Sequence, residues 1–261
     1  MYSGLDSFTL LCIPGFILAG NLMNEGGLTR KIIAFSKALV GHIRGGVGMS
    51  NIVASMVFAG ISGTALADVA SIGNIMIPTM KKEGYDPKYA VAISCSSSLV
   101  GPIIPPSLPM IIVGTLTGLS VGKLFVAGIL PGILLGLGML VIVYFIAKKG
   151  NYPIQKRSTL KETLVLLYNG IWSLIMVFII LFGILGGFFT PTEASIIAVL
   201  YALLVGIFIY KKLNLKNIIL IIKDSIKTTA GIMLLVGFAN IFAWILATEN
   251  IATLSIKNNI K

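Results

Sequence analysis

The residues able to do chemistry in this chain lie inside apolar sequence. Residues 101–109 read Gly-Pro-Ile-Ile-Pro-Pro-Ser-Leu-Pro, which places Pro102, Pro105, Pro106 and Pro109 in one segment long enough to cross a bilayer. Proline lacks the amide N–H and clashes with the preceding turn, so no single intact helix runs through all four. In lipid, the carbonyls freed by such a break require protein or a water-filled cavity. Interrupted helices of this kind hold ions and substrate in secondary transporters. Gly101 and Ser107 belong to the break, and Ser96, Ser97 and Ser98 precede it. Upstream, Gly60-Ile-Ser62-Gly63-Thr64 interrupts another apolar stretch with two hydroxyls and two chain-reversing glycines. Two broken elements facing each other are expected where Na⁺ exchanges its water for protein oxygens, and half-helix N-termini nearby suit an anionic carboxylate. Asp68 is the acid embedded most clearly in apolar sequence. A carboxylate at the centre of a membrane helix costs about 2.5–3.5 kcal/mol on insertion scales. It either lines an ion path or, protonated, donates a hydrogen bond to a neighbouring helix.

Other chemistries find little support. Gly60-Ile-Ser62-Gly63 has the form of an intramembrane serine-protease motif, but that mechanism needs a nearby histidine base. His42 is the only histidine, and it sits upstream at a basic edge. Cys12 and Cys95 fall in apolar runs and read as small buried hydrophobes. No zinc or haem spacing and no Walker A motif occur. Thr190-Pro191-Thr192-Glu193 has the form of a capping box, which accounts for Glu193 better than a transport role does.

The elements that must position these residues are membrane helices. The chain is 56% hydrophobic and 11% charged with mean hydropathy +0.98, well below the roughly 25% charge of soluble domains. We therefore expect an all-α polytopic membrane protein. The net charge of +11 lies in short loops, so the positive-inside rule explains it better than nucleic-acid binding. Expected elements are a span at 8–23, an interfacial amphipathic helix at 28–42, a stretch at 46–80 interrupted at its middle, the broken helix at 88–118 and a span at 123–147. A basic linker at 148–169 follows, then spans at 170–189, 193–210 and about 228–247. Of the 20 Lys and Arg, 17 fall in clusters at 30–44, 81–88, 148–161 and 211–227. All 17 share one face if 46–80 enters and leaves by the same side, which predicts a re-entrant helical hairpin with its tip near Ser62. Asp86-Pro87 is a second legible helix start, and Gly132-xxx-Gly136 and Gly183-xxx-Gly187 are expected to let helices approach closely.

The motifs also occur together in a recognisable order. Gly4-Leu-Asp-Ser-Phe, Ile17-Leu-Ala-Gly-Asn, Phe58-Ala-Gly-Ile-Ser-Gly-Thr-Ala-Leu-Ala-Asp68, Ile77-Pro-Thr-Met and Gly84-Tyr form one set. Ser97-Ser-Leu-Val-Gly-Pro-Ile-Ile-Pro-Pro-Ser107, Leu124-Phe-Val-Ala-Gly-Ile-Leu-Pro-Gly132 and Phe189-Thr-Pro-Thr-Glu-Ala194 continue it. Over essentially its whole length the chain resembles the large membrane subunit of tripartite ATP-independent periplasmic (TRAP) transporters, the DctM-like permeases. The resemblance implies an elevator-type, Na⁺-driven importer in the bacterial inner membrane, with Na⁺ as coupling ion and no other cofactor. It implies a periplasmic binding protein that delivers a carboxylate such as a dicarboxylate or sialic acid, and a small membrane subunit as partner. It places ion and substrate at Ser62, Gly63, Thr64 and the 97–107 segment: Ser97, Ser98, Gly101, Pro102, Pro105, Pro106 and Ser107. Among these, Ser62, Gly63, Thr64 and Ser97 are the Na⁺ candidates. Against the family pattern, the chain reads as a fragment in which a second, inverted half begins at 170 and is truncated. The alternative is a truncated, non-transporting membrane protein or scaffold that binds the small subunit.

Overall fold

The structure, a computed structural model, describes residues 6–150, 152–155 and 157–249. Gly4 and Leu5 of the first motif, Lys156 of the linker cluster and the final residues 250–261 lie outside the described residues. Every regular element described is helical. A 3₁₀ turn at Phe8–Leu11 leads into α1 (Cys12–Glu25), and α2 (Leu28–Val40) follows. Next come α3 (Gly46–Ser62), the short α4 (Ala65–Asp68), a π turn at Val69–Gly73 and α5 (Asn74–Lys82). The proline-rich segment separates α6 (Pro87–Ser98) from α7 (Leu108–Thr117). Then follow α8 (Val121–Lys149), α9 (Leu160–Leu185), α10 (Pro191–Leu204) with a π turn at Val205–Ile209, and α11 (Leu215–Thr248).

Among the described residues, five helical stretches are long and apolar enough to cross a membrane: Phe8–Glu25, Val121–Lys149, Leu160–Leu185, Pro191–Ile209 and Leu215–Leu246. The chain is thus an all-α polytopic membrane protein. Helices α3 and α7 are apolar but shorter. At 1.5 Å per residue, α7 spans about 15 Å, half of a hydrocarbon core about 30 Å thick.

Packing divides the helices. α1 lies against α10 and α11, while α3 lies against α6 and α8. α2 bridges the two groups through α3 and α9. Its apolar face, Leu28, Ile32, Ile33 and Ala38, is buried, so protein rather than a lipid interface receives it. The core runs through both groups, with Phe16, Phe58 and Phe125 fully buried. The α8 glycines pack closely, as expected. A Cβ at Gly132 would strike Ile104 of the break, and one at Gly136 would strike Met56 of α3.

Several expected boundaries shift. The linker is shorter than 148–169, because α8 continues to Lys149 and α9 already starts at Leu160. A capping box causes this: Thr159 Oγ1 accepts from Glu162 N (3.3 Å), and the Glu162 carboxylate accepts from Thr159 N (2.8 Å). The span expected at 170–189 therefore runs from 160 to 185, with a turn at 186–187. The last helix begins at Leu215 rather than near 228, so Lys216, Lys223 and Lys227 are helical rather than loop residues. Its 34 residues extend about 51 Å, leaving turns at the basic end outside the hydrocarbon. Gly183 and Gly187 are not a helix-packing pair. Gly183 makes room for the returning Phe189 ring, whereas Gly187 sits in the following turn at φ 74° with open space around it.

Candidate ion and substrate site

The first broken element is a helical hairpin. α3 stops because Gly63 takes φ 62°, a left-handed conformation that favours glycine, while its N–H still bonds Ala59 O (3.2 Å). Thr64 is extended and caps the return, its Oγ1 accepting from Ala67 N (3.2 Å). The reversal thus falls at Gly63, and both return segments, α4 and α5, contact α3. Ser62 Oγ is buried at the tip and has no partner among the described residues.

The second broken element is the proline-rich segment. α6 ends at Ser98, and Val100 O then accepts from both Ile103 N (3.0 Å) and Ile104 N (2.9 Å). A continuing helix would have needed N–H groups at 102, 105 and 106 to bond the carbonyls of Ser98, Gly101 and Pro102, and proline supplies none. Two of those carbonyls find other donors. Gly101 N bonds Ser98 O (3.0 Å), and Ser107 Oγ donates to Pro102 O (2.5 Å). Ser107 also caps α7 by accepting from Met110 N (3.3 Å). Pro109 sits in the first turn of α7, where its missing N–H costs nothing. The Pro105–Pro106 peptide is cis.

The two elements touch. Leu108 N donates to Gly63 O (3.2 Å), so the hairpin tip binds the first residue of α7. A Cβ on Gly63 would lie 2.5 Å from Pro106 O and 3.2 Å from Leu108 N. A Cβ on Gly101 would lie 3.0 Å from Thr64 O. Ser62, Gly63, Thr64, Gly101, Pro102, Pro105, Pro106 and Ser107 therefore belong to one layer, made of hydroxyls, carbonyl oxygens and the N-terminus of α7. That oxygen set suits a hard cation. Among the described residues no group of three His, Cys, Asp or Glu converges on a common point.

Asp68 and Ser97 lie elsewhere. Ser97 Oγ meets Ser55 Oγ (3.1 Å) and donates to Ser94 O (3.1 Å). Ser55 also reaches the Asp68 carboxylate. Ser55 stands seven residues before Ser62, about 10 Å down the helix. The expected residues thus separate into a tip layer and a lower layer. Ser98 belongs to neither by hydrogen bonding, because its hydroxyl bonds Cys95 O (2.7 Å) within α6. The lower layer adds residues that sequence reasoning passed over: Asn51, Ser55 and Ser94. Asn51 and Ser55 are one turn apart on α3, and Ser94 and Ser97 are one turn apart on α6. Such helical spacing of polar residues in an apolar run is the signal that could have found them. Glu193 sits in a capping box, its carboxylate accepting from Thr190 N (2.7 Å), and takes no part in either layer.

Comparison with known proteins identifies the family. A family profile described as the tripartite ATP-independent periplasmic transporter, DctM component, matches residues 1–257. The chain is 41% identical to the sialic acid TRAP transporter large permease protein SiaM of Vibrio cholerae over 251 residues, 96% of this chain and 59% of that protein. It is 39% identical to the C4-dicarboxylate large permease DctM of Pseudomonas aeruginosa, over 96% of this chain and 59% of the relative. It is also 39% identical to the 2,3-diketo-L-gulonate large permease YiaN of Escherichia coli, over 94% and 58% respectively. The chain spans about 59% of the length of these curated relatives, which are transport permeases rather than enzymes. With a helical hairpin meeting a proline-broken helix, and with that match over nearly all of its length, the chain belongs to the DctM family of TRAP transporter large permease subunits.

Proposed function

We propose that this chain carries the ion-coupled core of a Na⁺-driven importer of an organic carboxylate in the bacterial inner membrane. The observation that carries the reading is the hydrogen bond from Leu108 N to Gly63 O, which joins two helix interruptions into one oxygen-rich layer. Ser62 Oγ, buried and unpartnered, fits a cation ligand there, alongside the carbonyls exposed by the break. Na⁺ would be held by the Ser62 and Thr64 hydroxyls and by carbonyls of the tip and of 101–106. Bound there, it supplies positive charge beside the substrate carboxylate. The N-terminus of α7, capped by Ser107, gives the same layer a positive end.

The hairpin and the broken helix form the moving part of an elevator, and α1, α10 and α11 form its frame. A periplasmic binding protein delivers the carboxylate, and a small membrane subunit braces the frame. The relatives named for sialic acid, C4-dicarboxylate and 2,3-diketo-L-gulonate support a carboxylate as the substrate class.

The test is uptake in proteoliposomes with the small subunit and binding protein present. A panel of labelled carboxylates is offered under a Na⁺ gradient or an equal K⁺ gradient. Uptake should need Na⁺, and Ser62→Ala should raise the Na⁺ half-saturation by about tenfold or more. Equal uptake under both gradients would sink the reading.

A further inference from the structure

Tyr89, in the first turn of α6, stacks on Tyr152 just past the end of α8, with ring centroids 5.3 Å apart. Ile104, beyond the far end of α6, meets Gly132 of α8. The two helices are therefore antiparallel. Between them lies a groove of about 540 Å³, backed by the buried Ile52 of α3. Its walls are apolar except for the hydroxyl-bearing Tyr89, Ser96 and Ser97. The α8 wall runs from Leu134 to Ile146, about 18 Å. That is close to one leaflet of a hydrocarbon core about 30 Å thick. Leu134, Ile142 and Ile146 remain exposed, so no described helix covers the groove from outside.

Gly138 marks the groove as space kept open. At Gly128, Gly132 and Gly136 of the same helix, Met110, Ile104 and Met56 fill the place of a side chain. Gly138 lines the groove, and nothing lies within 4 Å of where its Cβ would stand. Glycine inside a helix is less stable than alanine, so one without a protein neighbour points to an occupant from outside the chain. The rim indicates which occupant. Lys88 precedes Ala92 of the groove by four residues, and Lys149 follows Ile142 by seven and Ile146 by three. Those spacings place both lysines on the groove faces of their helices. Both are exposed, and neither is in an ion pair with a described residue. The nearby acids are already engaged: Asp86 accepts from the backbone N–H groups of Lys88 and Tyr89, and Glu83 accepts from Gln155 Nε2.

We propose that this groove binds an anionic phospholipid from the leaflet at the basic helix ends, with one acyl chain along α8 over Gly138 and the phosphate between Lys88 and Lys149. Apolar walls one leaflet long receive the chain. A lysine on each side receives the headgroup. Within lipid the chain gains nothing by leaving water, so close contact with a concave wall holds it and the headgroup charge supplies selectivity. The Tyr85, Tyr89 and Tyr152 rings, stacked within 9° of parallel, support the rim. A bound lipid would tie α6 to α8 and so brace the helices beside the hairpin. The inference does not depend on ion binding at the tip.

The test uses the 261-residue chain in neutral-detergent micelles. Thermal unfolding is followed while phosphatidylglycerol or phosphatidylcholine is added. Phosphatidylglycerol should raise Tm saturably, and phosphatidylcholine should need at least about tenfold more for the same rise. Lys88→Gln with Lys149→Gln should move the phosphatidylglycerol midpoint up by about tenfold or more. Lys216→Gln with Lys223→Gln, an equal loss of exposed charge on α11, should leave it in place. Gly138→Phe fills the groove from a position where a Cβ meets no atom, so it should abolish the rise while the lipid-free Tm stays at or above that of the wild type. Gly138→Leu, a smaller filler, should weaken the response in the same direction and decides the matter if the Phe variant does not fold. The proposal is overturned by no saturable rise in the wild type, by equal midpoints for the two lipids, by equal shifts from the two lysine pairs, or by an unchanged response in the folded Gly138 variant. A rise that accompanies a doubling of particle mass would place a second copy of the chain in the groove and would equally overturn it.

Discussion

Gly63→Ala perturbs the contact on which the proposed ion site depends. Two effects add at this position. The backbone at φ 62° is left-handed, which costs a non-glycine residue roughly 1–2 kcal/mol. The new methyl would also lie 2.5 Å from Pro106 O and 3.2 Å from Leu108 N, both backbone atoms of the break. Neither can rotate away as a side chain would, so tip and break must separate. Separation loses the Leu108 N to Gly63 O hydrogen bond, worth about 1 kcal/mol, and adds an overpacking cost of about 1–3 kcal/mol. Gly118→Ala is the control, because Gly118 has φ 71° but open space around it. It carries the strain alone. The difference between the two variants should be at least about 1.5 kcal/mol, or about tenfold in an equilibrium. Chemical unfolding in mixed micelles measures the stability part, and Na⁺ half-saturation measures the site part. Gly63→Ala should be worse on both, whereas Gly118→Ala should leave Na⁺ half-saturation unchanged. If the variants agree within about 0.5 kcal/mol and share one Na⁺ half-saturation, the tip–break contact is not part of the site.

Two further outcomes follow from the geometry. Thr190→Ala removes an N-cap and half of a capping box, so it should cost about 1 kcal/mol in unfolding experiments and leave Na⁺ response untouched. With Cys12 and Cys95 replaced by alanine, Arg44→Cys and Lys81→Cys should both react with an impermeant maleimide from the cytoplasmic side; reaction from opposite faces would show that 46–82 crosses the membrane.

How far the sequence could be read depended on whether a local rule outweighed context. The break was legible because the prolines remove donors wherever they stand. The reversal of the chain was legible in Gly60-Ile-Ser62-Gly63-Thr64, two glycines and two hydroxyls within an apolar run. Ser62 marked the tip within one residue; the reversal falls at Gly63, where φ is positive. Two helix starts were hidden by polarity. Lys161 and Glu162 gave the first turn of α9 the composition of a linker, although Thr159 and Glu162 cap it. Lys216, Lys223 and Lys227 did the same for α11, because long basic side chains reach water from a helix that continues out of the hydrocarbon. The helical spacing of Asn51 and Ser55 on α3, and of Ser94 and Ser97 on α6, stood in the sequence, but only packing of α3 against α6 pairs one set with the other. The family resemblance grouped Ser97 with the tip residues, yet its hydroxyl is hydrogen-bonded to Ser55.

Equilibrium binding of ²²Na⁺ to the chain in lipid nanodiscs tests the central claim most directly. Saturable binding that resists excess K⁺ is expected, and Ser62→Ala should weaken it by about tenfold or more while the protein keeps its helical content. An isotherm for Ser62→Ala that superimposes on the wild type, or no saturable binding by the folded wild-type chain, would contradict the assignment of the hairpin tip and the proline break as an ion site.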